Sequence, residues 1–308
     1  ALRVLVTGGA GFIGSHLVKA LVSRGFSVRV LDDLSRGSLR SLDPVLDSIE
    51  FVRGDVRDGG VVAGLVRGVD VVVHLAALVD AFESLSNPRL YSDVNVGGTL
   101  NLCIASGNVK TFVYASSAAV YGEPVEVPVR EDHPLNPINP YGASKVAGEA
   151  YVKAYSNIHG YRPVILRIFN VYGPGQTKSY AGVIEEFRRR LTTGEPLLIH
   201  GDGLQKRDFI SIWDAVEAIV KAIEVEEAQG AYNIGSGKAI TIRELAKLMA
   251  RIAGRKDVEI KYTKPRPGDI RVSQADLTKT EKELKFKPKI ELEEGLRKLL
   301  QQDNKKHT

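Results

Sequence analysis

The chain has 308 residues, 44% hydrophobic and 26% charged, which excludes disordered, collagen-like and membrane-embedded classes and leaves an ordinary globular protein. Its net charge of +5, from 42 basic and 37 acidic residues, favours an anionic small molecule and gives no argument for nucleic acid. A single cysteine, Cys103, excludes an intramolecular disulfide and a multi-cysteine metal site.

In chain order, LRVLVTG (2–8) opens a series of apolar, β-branched runs. No h-region with a cleavage site precedes it. The others are VRVLDD (28–33), IEFVRGD (49–55), VDVVVHLAA (69–77), KTFVYASS (110–117) and PVILRIFNVYG (163–173). Such continuous hydrophobicity suits strands buried on both faces of a parallel sheet. Helical patterns fall between them, near 12–24, 58–67, 88–106 and 141–159. Cys103 lies in one of these, LNLCIA, as a small buried hydrophobe. The alternation predicts a doubly wound α/β domain of Rossmann type. After residue 173 the rhythm changes. GPGQTKSY (173–180) is a predicted loop and 181–193 a helix whose Arg188-Arg189-Arg190 run is a solvated face. LLIHGDG (197–203) is a strand and turn, and the stretch from Arg207 to Gly235 resumes an α/β pattern. TIRELAKLMARIAG (241–254), VEIKYT (258–263), KPRPGD (264–269) and two terminal helical stretches complete the chain. The expected organisation is a dinucleotide domain over 1–172, rejoined by 204–236. A smaller, discontinuous α/β substrate domain takes 173–203 and 237–308.

TGGAGFIG (7–14) stands between a strand and a helix, with Gly8, Gly11 and Gly14 spaced G-x-x-G-x-x-G. The first glycine permits the turn, the second lets backbone N–H groups approach a pyrophosphate, and the third lets helix pack on strand. The second strand ends in Asp32-Asp33. A carboxylate there accepts from the adenosine ribose hydroxyls and repels a 2′-phosphate, which favours NAD over NADP. Arg36, close behind, reads as an exposed loop arginine. Asp55, at the end of the third strand, suits either an adenine contact or a turn former. In NPYGASK (139–145), Asn139-Pro140 marks a helix start, and Tyr141 and Lys145 share a face at i and i+4. By itself that pair fits a solvated helix as well as an acid/base site.

TGGAGFIG, HLAA (74–77), YASSAAVYG (114–122), YGASK (141–145), RIFNVYGP (167–174), RDFI (207–210) and RPGD (266–269) together resemble the extended short-chain dehydrogenase/reductase family. The likeness spans nearly the whole chain, in the family's order. It is greatest to the branch of UDP-glucose (UDP-galactose) 4-epimerases. The resemblance implies a tightly held, recycled NAD and a UDP-sugar substrate. It makes Tyr141 the acid/base, Lys145 its tuner and a ribose contact, and Ser117 the partner of the reacting oxygen. A phenol with a pKa near 10 needs a nearby positive charge to act as a base at neutral pH. Cofactor contacts then fall to Gly8, Gly11, Phe12, Ile13, Gly14, Asp32, Asp33, Asp55, Val56, Leu75, Ala76, Ala77, Asn95, Ser116 and Phe169, besides Tyr141 and Lys145. Substrate contacts fall to Ser117, Tyr141, Asn170, Val183 and Ser273. Arg207 and Arg266 clamp the diphosphate, Asp269 accepts from the nucleotide ribose, and Leu197 and Ile199 wall the uracil.

Two departures stand out. Where some epimerases carry a lysine after the fourth strand, this chain has Leu78-Val79-Asp80, which removes an expected pyrophosphate contact. Ser273 stands where some carry a bulky aromatic near the sugar's C2 substituent, which opens room for an N-acetyl group. No metal is expected. A 4,6-dehydratase needs an Asp-Glu pair after the serine strand, and here the residues are Ser117-Ala118-Ala119. A uronate epimerase, a decarboxylase and a silent NAD-binding regulator remain as alternatives. The resemblance implies a homodimer built on the helices near 88–106 and 141–159, and the cysteine usage a cytoplasmic protein.

Overall fold

The computed structural model describes residues 1–176 and 182–305. Its centre is a parallel sheet of seven strands. The first four are β1 (Arg3–Thr7), β2 (Ser27–Asp32), β3 (Glu50–Arg53) and β4 (Val71–His74). They are followed by β5 (Thr111–Ser117) and β6 (Arg162–Ile168), and a late seventh strand joins at residues 230–234. The order across the sheet places that late strand beside β6, then runs β5, β4, β1, β2 and β3. Helices α1 (Phe12–Ser23), α2 (Gly59–Val66), α3 (Ala81–Ser86), α4 (Pro88–Tyr91), α5 (Gly98–Ala105) and α6 (Pro140–His159) link the first six strands, except that a 3-10 stretch, Leu39–Ser48, joins β2 to β3. The apolar runs in the sequence therefore form strands covered on both faces: Val4, Leu5, Val6, Val71, Val72 and Val73 are all buried.

Three details differ from the sequence-based expectation. The helix expected over 88–106 is broken into α4 and α5 by a π-helical stretch, Ser92–Gly97, which turns Asn95 inward and buries it. The strand expected over 163–173 ends at Ile168. A separate short strand, β7 (Asn170–Tyr172), leaves the main sheet. The strand expected over 49–55 shortens to Glu50–Arg53, and Gly54 N–H returns to the Asp32 carbonyl.

Beyond β7 come α7 (Val183–Thr193), β8 (Leu197–His200), β9 (Lys206–Arg207), β10 (Phe209–Ser211), α8 (Ile212–Glu224) and β11 (Gly230–Ile234), the seventh strand of the sheet. Then follow β12 (Ile240–Thr241), α9 (Ile242–Ile252), β13 (Ile260–Thr263) and α10 (Leu292–Lys305). β10 pairs with β7, β12 with β9, and β13 with β8. A second apolar core gathers Phe187, Leu191, Leu245, Met249 and Leu299. The expected loop at 173–180 lies partly outside the described residues. Among the described residues no helix is long and apolar enough to cross a membrane.

Beneath the C-terminal end of β5 lies a buried ion pair. Arg167 donates to both oxygens of Glu149, at 2.8 and 3.1 Å, and Ser116 donates to the same carboxylate at 2.6 Å. Both charged side chains are almost wholly buried, at 3% and 2% exposure. Removing one partner of such a pair strands the other without water. Glu149→Gln should therefore lower stability by about 3 kcal/mol, read as a fall in the urea denaturation midpoint; an unchanged midpoint would remove this pair from the account of stability.

Candidate active site

The strands β1, β2, β4 and β5 end at one rim of the sheet, and a cavity of ≈ 650 Å³ opens there. This is where ligands bind in open α/β sheets. The glycine loop floors it. Gly8 has φ +70°, and a Cβ on Gly14 would lie 2.1 Å from the Gly8 carbonyl oxygen. The turn therefore closes only around glycine. Gly11 is the N-cap of α1 and offers no side-chain acceptor. The N–H groups that every helix leaves unpaired at its start are thus left for a ligand, with the positive end of the helix dipole behind them. This cradle fits a dinucleotide diphosphate.

Asp32 ends β2 against that loop. Its oxygens accept from Ala10 N–H at 2.9 Å and Leu34 N–H at 2.8 Å. Burial raises its pKa and those two N–H donors oppose the rise. Each oxygen keeps lone-pair capacity for a ribose hydroxyl. Asp33 accepts from Ser35 N–H and Oγ–H, and Asp55 is paired with Arg57 at 2.6 Å; both face the cavity with Val56.

Leu75, Ala76 and Ala77 form the opposite wall, and a relay beneath them fixes their path. Thr7 Oγ accepts from the N–H groups of Leu75 and Ala76, each at 3.1 Å, and lies 2.6 Å from His74 Nδ1. His74 Nε2 lies 2.9 Å from Thr99 Oγ, and Thr99 donates its one hydroxyl hydrogen to the Asn95 carbonyl. His74 Nε2 must therefore be the protonated nitrogen and Nδ1 the acceptor. Burial, then the Lys145 charge, lowers the His74 pKa to about 3, so the ring is neutral. Asn95 does not line the cavity. From behind the wall it grips both backbone groups of Leu78, at 2.8 and 2.9 Å, and donates to Ser144 Oγ at 3.0 Å.

Tyr141 and Lys145 project from α6. Pro140 is its first residue and Asn139 caps it, accepting from Gly142 N–H at 2.8 Å. Tyr141 is buried, and its ring meets the edge of Tyr91 at 6.4 Å between centroids. Lys145 Nζ donates to the Ala115 carbonyl at 2.8 Å and lies 5.2 and 5.9 Å from the centroids of Tyr114 and Tyr141. Burial lowers its pKa to about 8, against the opposing charge of Glu149. Ser117 ends β5 facing the cavity and accepts from Ala119 N–H. Its neighbour Ser116, expected to touch the cofactor, lines the cavity but gives its hydroxyl to Glu149. Successive strand residues point to opposite faces, so only one of the two serine hydroxyls reaches the site.

Across the cavity stand Phe169, Asn170, Arg207, Arg266, Asp269 and Ser273. Arg207 and Asp269 form an ion pair, and the Arg266 guanidinium lies 5.7 Å from the Phe82 ring centroid. Asp208, beside Arg207, is not singled out by the sequence. It is fully buried. It accepts from Ser236 N–H and Oγ–H, both at 2.7 Å, and from Gly237 and Ala275 N–H groups, both at 3.0 Å. That carboxylate ties together the chain segments that carry Arg207 and Ser273. Three expected substrate contacts do not reach the cavity. Leu197 and Ile199 are fully buried in the second core, and Val183 packs against the same core. Their strand and helix positions were legible, but the direction they face was not. Among the described residues no cluster of His, Cys, Asp and Glu suits a metal.

The model of the NAD dependent epimerase/dehydratase family matches residues 4–235. A putative UDP-glucose 4-epimerase of Methanocaldococcus jannaschii is 39% identical, over 96% of this chain and 97% of that protein. Among solved structures, UDP-glucose 4-epimerase of Thermotoga maritima with UDP-glucose superposes with a TM-score of 0.95. It is 36% identical, with full coverage of both chains. UDP-N-acetylglucosamine 4-epimerase of Methanobrevibacter ruminantium, in complex with UDP-N-acetylmuramic acid, gives 0.93 at 35% identity, covering 99% of each chain.

Burial of the Lys145 ammonium is a stability cost. The folded state holds that proton less tightly than the unfolded chain, so stability rises as pH passes from about 8 toward the ordinary lysine value near 10.4. Lys145→Met should stabilise the protein at pH 7 by about 1 to 2 kcal/mol, and the gain should shrink as pH climbs through that window. Denaturation midpoints at pH 7 and pH 10 check this; a variant less stable than the parent at pH 7 contradicts it.

Proposed function

We propose, from the premise that this chain belongs to the NAD dependent epimerase/dehydratase family, that it interconverts UDP-galactose and UDP-glucose by epimerisation at C4. The observation that carries this reading is one cavity lined by the glycine loop, Tyr141, Lys145 and Ser117 on one side and Arg207 and Arg266 on the other. NAD, when bound, supplies a reversible hydride acceptor. The glycine loop and the start of α1 would hold its diphosphate, Asp32 its adenosine ribose, and Lys145 its second ribose.

The residues of the chain then act on the sugar. Tyr141 takes the proton from the C4 hydroxyl as that carbon is oxidised to a ketone, and returns it when the carbon is reduced on the other face. The Lys145 ammonium, 5.9 Å from the ring centroid, stabilises negative charge as it develops on the phenol oxygen. Ser117 donates to the reacting oxygen. Arg207 and Arg266 hold the diphosphate while the 4-keto sugar turns over, so that remote binding energy retains an intermediate that carries no charge at its reacting carbon. Asp269, which pairs with Arg207, is positioned to accept from the nucleotide ribose once the diphosphate engages that guanidinium. No carboxylate follows Ser117, where Ala118 and Ala119 stand, and this disfavours a 4,6-dehydratase, which needs an acid and a base there.

Ser273 favours a second substrate class. It is small, lines the cavity and is held by its N–H donating to the Lys206 carbonyl at 3.0 Å. Such a residue leaves space for a C2 N-acetyl group, so UDP-N-acetylhexosamines are proposed as additional substrates. We also propose a cytoplasmic homodimer that pairs α5 and α6, on which Ile104, Tyr151 and Ile158 are exposed.

Purified protein incubated with UDP-galactose should form UDP-glucose; bound dinucleotide with the sugar unchanged would instead favour a regulator. Tyr141→Phe should keep NAD and UDP-sugar binding yet lose about 100-fold or more in kcat, and near-normal turnover would displace Tyr141 from its role. Ser273→Tyr should cut turnover of UDP-N-acetylglucosamine by about tenfold or more while sparing UDP-galactose. Equal effects on both sugars would remove Ser273 as the selector.

A further inference from the structure

The sheet order places β1 between β2 and β4. Arg36 follows the end of β2, and Glu83 sits in α3 beyond β4. Their side chains meet: Arg36 Nη2 lies 2.7 Å from Glu83 Oε1, and Nη1 lies 3.3 Å from Oε2. The fork therefore joins the two sides of the cavity, crossing the rim where the glycine loop leaves β1. Arg36 itself lines that cavity, as do Asp80, Ala81 and Phe82 of the α3 side.

Both anchors are fixed. Behind Arg36, a Cβ on Gly37 would lie 2.6 Å from the Ala10 carbonyl oxygen and 3.1 Å from Gly11 N. The loop is thus packed onto the glycine loop. Ser38 N–H donates to that same Ala10 carbonyl at 3.1 Å, and Ser41 Oγ, which is closest to the Ser38 carbonyl, lies 3.0 Å from the Ala10 carbonyl oxygen. On the other side, Asp80 caps α3 by accepting from the N–H groups of Phe82 and Glu83. Ser84 accepts from Tyr141 N–H at 3.2 Å, so α3 is tied to the start of the catalytic helix. Two rigid supports hold one bidentate ion pair between them.

We propose that the Arg36–Glu83 pair is a strap that retains the dinucleotide. A diphosphate seated on the start of α1 has the strap at its rim, and leaving requires the pair to part. The strap serves the reading above, because an enzyme that oxidises and then reduces the same sugar must not shed its reduced cofactor between the two steps. It rests on that reading only for its purpose. Cofactor release can be measured without any sugar, so the two stand or fall separately.

The test uses protein loaded with NADH, mixed rapidly with excess NAD, and follows the loss of bound NADH fluorescence. Arg36→Gln and Glu83→Gln should each speed release about fivefold, the scale of a half-exposed bidentate pair. The swap Arg36→Glu with Glu83→Arg should restore release to within about twofold of the parent. Both side chains are partly exposed, at 37% and 26%, so these variants should fold, and matching melting temperatures establish that. Release from the single variants within about twofold of the parent overturns the proposal. So does a swap that releases as fast as the single variants, since Arg36 would then act directly on the cofactor and not through Glu83. Loss of UDP-sugar turnover with NADH release unchanged also overturns it.

Discussion

The parallel register of β1 and β4 sets Thr7 opposite His74, and the 2.6 Å hydrogen bond between their side chains is the contact on which the geometry of the site depends. Thr7 closes the strand that feeds the glycine loop. The same hydroxyl holds the N–H groups of Leu75 and Ala76. The relay continues through His74 and Thr99 to Asn95, and from Asn95 to Ser144, whose hydroxyl donates to the Tyr141 carbonyl. The strand that feeds the glycine loop, the Leu75-Ala76 wall and the start of α6 are therefore joined by one chain of polar groups. Such a chain is worth having only if every member is satisfied. Burial and the Lys145 charge keep the His74 ring neutral, which suits a relay in which Nδ1 accepts and Nε2 donates.

The electrostatics of α6 pull in two directions. Lys145 is held in a low-dielectric setting that disfavours its charge, while Glu149, one turn further along the same face, opposes that effect. Glu149 is itself neutralised by Arg167. The proposed chemistry needs a positive group beside a phenol, and the fold holds Lys145 near the Tyr141 ring where burial disfavours its charge. Buried ion pairs of this kind define an arrangement more than they stabilise it. Sites that carry strained or poorly solvated groups are where proteins trade stability for activity.

A second buried carboxylate, Asp208, joins segments that are far apart in the chain. Asp208 adjoins Arg207 in sequence, and its four accepted hydrogen bonds come from two other chain segments, Ser236-Gly237 and Ala275. Burial raises its pKa and the surrounding donors hold the carboxylate form. The segments that carry Arg207 and Ser273, both of which line the cavity, are consequently fixed relative to each other.

The sequence by itself determined the strands, the glycine loop, the helix start at Asn139-Pro140 and the pairing of Tyr141 with Lys145, because local periodicity and turn chemistry act over a few residues. Its motifs also pointed to Ser117, Arg207 and Arg266, and the family resemblance to Ser273, and all four line the cavity. Only the tertiary structure decided which way side chains face. It turned Ser116 to Glu149, sent Leu197 and Ile199 into a core, and drew Asn95 behind the wall through a π-helical stretch. It also brought Arg36, which reads in sequence as a solvated loop residue, across to Glu83. Facing direction and long-range partners depend on strand order and on packing between segments far apart in the chain. A pattern read along one segment carries no information about either.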